Sequence, residues 1–106
     1  MNDNAVLRLD ESVAYQDGSI VSRKLVSSAG GNISAFAFDA GEELSEHTTP
    51  HEALIQVLDG VAEIRIDGAP HTVAAGESIL LPAGRPHAVR AGQRFKMLLT
   101  MLKSAG

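Results

Sequence analysis

Apolar and polar residues alternate with a period of two along most of this 106-residue chain, and few folds accept that pattern. Successive side chains of a strand point to opposite faces, so each alternating run can bury one face and solvate the other. Val61-Ala62-Glu63-Ile64-Arg65-Ile66 places Ile64 and Ile66 inside with Glu63 and Arg65 outside. Residues 33–39 put Phe36 and Phe38 on one face and Ile33, Ala35 and Ala37 on the other. Asp59-Gly60 and Asp67-Gly68 tolerate positive φ and are expected to make tight hairpin turns. Further strands are expected over 20–27, 71–73 (an edge begun by Pro70), 79–81, 88–90 and 95–102, with short ones over 6–9 and 13–15. Residues 51–58 contain helix formers, but eight residues make a poor free-standing helix and their neighbours read as strands, so they are assigned to a strand. Roughly ten short strands with regular turn signals describe an all-β barrel or sandwich.

A chain of this length forms one domain, 1–106, large enough to bury a core without covalent staples. It has no cysteine, which excludes disulfides and thiolate metal sites. The net charge is −4, and the nearest basic cluster (Arg85, Arg90, Arg94, Lys96) is too sparse for a nucleic-acid surface. The N-terminal residues show no basic region followed by an apolar run, and Ile79-Leu80-Leu81 is far too short to span a membrane. A cytoplasmic protein with neither nucleic-acid nor membrane partners is therefore expected. There is no Gly-rich phosphate loop before a helix and no nucleophile elbow, and nothing activates Ser45 or Ser78.

Chemistry rests on the histidines, since imidazole is the commonest metal ligand and titrates near neutrality. His71 follows Pro70 on an expected edge strand and has no partner in sequence. His47 and His87 each stand at the end of a β segment near Gly and Pro residues, where strand ends and loops form the mouth of a barrel. The stretches holding them resemble the two motifs of the cupin superfamily. In the first, Gly-x(5)-His-x-His-x(3,4)-Glu-x(6)-Gly, residues 41–60 supply Gly41, His47 and Gly60. In the second, Gly-x(5)-Pro-x-Gly-x(2)-His-x(3)-Asn, residues 76–91 supply Gly76, Pro82, Gly84 and His87. Thr49, Ala53 and Ala91 replace the second histidine, the glutamate and the asparagine.

The resemblance implies a double-stranded β-helix, the jelly-roll cupin barrel of two antiparallel sheets around a central pocket. It also implies a homodimer, with the contact expected over residues 4–16. In metal-binding cupins three histidines and the glutamate hold the ion; here His47 and His87 keep ligand positions. His51, in the loop after Pro50, is the candidate third ligand, and Glu52 is a weaker one that alternation points away. The metal would be divalent: Fe, Mn, Ni or Zn. Thr49 is expected to hydrogen-bond a ligand, whereas Gln56, of opposite strand parity to Ala53, reaches the pocket only if the register slips. Phe36, Phe38, Met97 and Met101 are candidate lining residues, as are Ile55, Val57 and Leu99, and a small barrel has room for one small ligand. Three readings stay open: a metal-dependent small-molecule binder, or an enzyme of the oxygenase, isomerase or lyase type; a metal-free barrel binding or sensing an anionic or sugar-like ligand; and a metal-free epimerase with a histidine base.

Overall fold

The computed structural model describes residues 6–103. Among them eight strands follow a short 3-10 turn at Leu9–Glu11: β1 (Ile20–Ser28), β2 (Gly31–Phe38), β3 (Glu43–His47), β4 (Glu52–Ile66), β5 (Ala69–Ala74), β6 (Ser78–Leu81), β7 (His87–Arg90) and β8 (Phe95–Leu102). All pairings are antiparallel. One sheet runs β1-β2-β8-β4-β6 and the other β3-β7-β4-β5. They share β4 and curl over a common core, which is the expected jelly roll. No helix among the described residues is long and apolar enough to cross a membrane.

β4 decides this architecture, and it corrects one expectation. Asp59-Gly60 does not close a hairpin: β4 continues through it for 15 residues. The register against β8 shifts between Val57 and Asp59, and Gly60 takes φ 75°. A Cβ at Gly60 would lie 2.3 Å from the Arg94 carbonyl oxygen, so only glycine permits this approach. Such an irregularity bends a strand and raises its twist. The first half of β4 accordingly pairs with β6 and β8, and the second half with β5 and β7. Asp67-Gly68 does form the expected two-residue turn, with φ 52° and 79° and Ile66 opposite Ala69. Its positive φ values match the twist of the flanking strands.

Alternation sorts the core correctly. Phe38, Ile55, Val57, Ile64, Phe95 and Met97 meet between the sheets, with Phe38 stacked on Phe95 at 4.5 Å between ring centroids. The opposite face of β2, Ala35 and Ala37, is also buried, beneath Val13 and beside Leu98. Residues 6–9 and 13–15 are therefore not the short strands expected. Leu9 opens the 3-10 turn, and Val13 and Tyr15 lie across the outer face of the β1-β2-β8 sheet. That coat explains why β2 is apolar on both sides.

Candidate functional site

β3 ends in His47 and β7 begins with His87, and the two are register partners. Their common orientation comes from an irregularity. Leu44 pairs with Val89 and His47 with His87, so β3 spends one more residue than β7 between these pairs. Under strict alternation Leu44 and His47 would face opposite ways; the extra residue turns both into the same cavity. The loops beyond are joined where the Gly84 N–H donates to the Thr49 carbonyl at 2.8 Å. Further along, Gly41 N–H donates to the Ala91 carbonyl at 2.7 Å and Ala91 N–H to the Glu42 carbonyl at 2.9 Å. The two motif segments thus brace each other at both ends.

Backbone carbonyls orient both imidazoles. His47 Nδ1 lies 2.8 Å from the Ser45 carbonyl oxygen and His87 Nδ1 3.2 Å from that of Arg85. A carbonyl oxygen only accepts, so these two contacts favour the neutral tautomer with its proton on Nδ1 in each ring. The two Nε2 atoms face each other at 3.1 Å, with the rings inclined at 66°, and in that tautomer both present lone pairs. Two acceptors at that separation repel unless a proton or a metal ion lies between them. Burial lowers the pKa of His87, and the adjacent His47 adds to that effect, against an opposing contribution from the Arg85 hydrogen bond. His87 is only 5% exposed, whereas His47 is open to solvent.

The cavity beside the pair has a volume of about 180 Å³. Of the residues singled out in the sequence, it is lined by His47, His87, Thr49, Ile55, Met97, Leu99 and Met101. Thr49 and Ala53 both reach it, so the positions that differ from the cupin ligand set still face the site. Leu44, Leu81 and Val89 complete the wall. Leu81 and Val89 could have been found by alternation within the second motif; Leu44 could not, because the β3 irregularity places it.

Other candidates lie elsewhere. Phe38 is sealed in the core against Phe95, and Phe36 packs beside it at 6.3 Å between centroids; neither lines the cavity. Val57 is likewise core rather than lining. Gln56 is exposed and pairs with Ser78 and Leu98, so the register does not slip and its parity keeps it outside. His51 is half-buried in the loop, where its N–H donates to Thr49 Oγ1 at 3.2 Å, and it is outside the lining. Glu52 is exposed. Among the described residues no group of three or more His, Cys, Asp or Glu side chains is placed to hold a metal ion.

The donor set present still fits a metal in part. Nitrogens 3.1 Å apart subtend about 100° at an ion bound at about 2.0–2.1 Å, close to the tetrahedral or octahedral angle between neighbouring ligands. The pair offers two such positions, and all others would fall to water or a ligand.

Comparisons with known proteins agree with this architecture. The family model for the cupin domain matches residues 35–101. A conserved protein of unknown function from Streptococcus pyogenes is 37% identical over 100% of this chain and 93% of its own, with a TM-score of 0.93. A cupin 2 conserved barrel domain protein from Leptotrichia buccalis is 44% identical over 86% of this chain and 44% of its own, with a TM-score of 0.83. A cupin superfamily protein from Desulfitobacterium hafniense is 28% identical over 98% of this chain and 95% of its own, with a TM-score of 0.91. No curated protein is significantly similar. With both motif segments in place, the antiparallel sheets curled around them and the family model covering more than half its length, this chain belongs to the cupin family.

Proposed function

We propose that this cupin binds a small molecule in the barrel and that His47 and His87 hold a divalent metal (Fe, Mn, Ni or Zn) through their Nε2 atoms. The observation that carries the reading is the facing Nε2 pair at 3.1 Å, with each Nδ1 beside a carbonyl oxygen able to accept its proton. Neutral imidazoles with bare Nε2 atoms are in the form that binds metal. Such an ion, when bound, would polarise an oxygen of the ligand or activate water, which suits oxygenase, isomerase or lyase chemistry. The chain's own contributions are orientation of the rings by Ser45 and Arg85, a hydroxyl from Thr49, and an apolar wall that excludes water.

Metal analysis of protein purified without a metal-affinity column, with melting scans before and after chelation, tests this. At 100 times its dissociation constant a metal adds about 2.7 kcal/mol, or a rise in Tm on the order of 10–20 °C for a domain this size. His47→Ala should abolish that rise. Absence of bound metal, with no response to any of the four ions, would sink the proposal.

The two-residue donor set supports a second reading, a metal-free binding barrel or epimerase in which one imidazole is the base. In the epimerase, His87→Ala abolishes turnover and spares binding; equal loss of both favours the passive binder. A cytoplasmic homodimer completes the proposal. Val6, 98% exposed, and the partly exposed Leu7 and Leu9 are the apolar surface available for the contact. Val13 is already used within the chain, and Asn4 and Ala5 lie outside the described residues. Sedimentation at micromolar concentration distinguishes dimer from monomer.

A further inference from the structure

Resting on the reading of His47 and His87 as the cation-holding pole of the cavity, we infer that its ligand is a small amphipathic anion: one oxygen-anion head on a compact apolar body of about four to seven carbons. The lining has few polar side chains, and two of them, His47 and His87, are in contact. His47, His87 and Thr49 are its polar members, while Ile55, Leu81, Val89, Met97 and Leu99 are among the apolar side chains, and no Arg, Lys, Asp or Glu takes part. Thr49 Oγ1 already accepts the His51 N–H, so its own O–H is left to donate, and a ligand oxygen in the cavity can accept it.

Size and chemistry restrict the body together. An apolar cavity of about 150 Å³ holds benzene, so a cavity of about 180 Å³ accepts a six-membered ring or a short branched chain with its head group. A sugar of that size would bury several hydroxyls against aliphatic walls, and each unpaired hydroxyl weakens binding by about tenfold or more. A phosphate dianion would lack the fixed guanidinium or ammonium groups that usually neutralise it. Short aliphatic or aromatic carboxylates fit, as do enolates and phenolates, which share the same oxygen-anion head.

The experiment measures dissociation constants of the intact protein, zinc-loaded and chelator-treated, for acetate, butyrate, hexanoate, benzoate, phenol, 1-hexanol, gluconate and glucose 6-phosphate. Affinity should rise about fourfold per added methylene from acetate to hexanoate. Benzoate should bind about as tightly as hexanoate, and 1-hexanol at least tenfold more weakly. Phenol matching benzoate assigns the head to phenolates and enolates, and weaker phenol assigns it to carboxylates; either result supports the class. Met101→Trp, which fills the cavity, should remove hexanoate and benzoate binding while sparing acetate; Ala53→Leu serves if that variant does not fold. A flat series, or gluconate or glucose 6-phosphate binding more tightly than hexanoate, overturns the inference. So does unchanged hexanoate affinity in a folded, filled variant. The chain-length series and the metal melting shift are independent readouts. A shift without chain-length dependence sinks the ligand class and leaves the metal reading; chain-length dependence without a shift sinks the metal reading and the anionic head with it, leaving only the apolar body.

Discussion

His87 and Gly60 show how much a single position carries here. Burial holds the His87 pKa below its ordinary value of 6.5, so the unfolded chain takes up this proton at a higher pH than the folded one. Metal-free stability is therefore fully present above pH 6.5 and declines as the pH falls toward the folded pKa. Urea unfolding between pH 7.5 and 5 should show that decline, and His87→Gln should flatten it. A wild-type curve that rises toward acid would contradict the argument. At Gly60, substitution by Ala adds a left-handed backbone penalty to a 2.3 Å approach to the Arg94 carbonyl oxygen, costing about 2–4 kcal/mol. Gly68, with φ 79° but open space around its missing Cβ, pays only the first term, so Gly68→Ala should cost about 1 kcal/mol. Equal losses in thermal melts would mean that the crossing of β4 over Arg94 is not the constraint.

The same crossing ties β4 to the N-terminal segment. Asp59, at the register shift, accepts the Tyr15 phenol at 2.5 Å, while Arg94 and Lys96 lie 5.3 and 4.9 Å from the Tyr15 ring centre. Arg94 also pairs with Asp17 and, at 2.8 Å, with Asp39, which lowers the Asp39 pKa to about 2. Burial and Asp59 together push the Tyr15 pKa up, so the phenol keeps its proton at neutral pH. Tyr15→Phe keeps the ring contacts and should lose about 1 kcal/mol from the hydrogen bond, or about 4–8 °C in Tm. Val13→Ala, at a site 4% exposed, should lose about 1–3 kcal/mol. If neither variant shifts the melt, the segment is an ornament rather than the cover of the β1-β2-β8 face.

For the whole molecule, the distinctive point is a cupin barrel whose cavity is lined by half the metal-binding cupin ligand set. Because Thr49 and Ala53 line the same cavity as His47 and His87, Thr49→His with Ala53→Glu should rebuild a four-ligand site. Without metal, the buried carboxylate should lower Tm, since an unpaired charge is costly there. With zinc or nickel in excess, Tm should exceed that of the parent under the same conditions, and metal affinity should rise at least 100-fold. A double variant that folds but binds metal no better than the parent would show that positions 49 and 53 do not converge on the pair.

Fold class, strand faces and the two histidines were legible in the chain because they depend on local rules. Alternation assigns Phe38, Ile55 and Ile64 to the core, Asp67-Gly68 dictates its own turn, and the glycine and proline spacing frames His47 and His87. Asp59-Gly60 uses the same two residue types as that turn, yet it lies within a strand; its meaning depends on the Arg94 carbonyl across the sheet. Val13 looks like a strand residue, and only the apolar outer face of β2 makes it a cover. His51 is near the motif in sequence and outside the cavity in space. Sequence alone determined an all-β barrel or sandwich with two imidazoles at strand ends, since period and turn chemistry are properties of neighbouring residues, and the resemblance to the cupin motifs implied the jelly roll. Tertiary structure decided that those imidazoles meet at 3.1 Å over an apolar pocket, because one irregularity in β3 and one in β4, set by distant strands, choose which side chains face in.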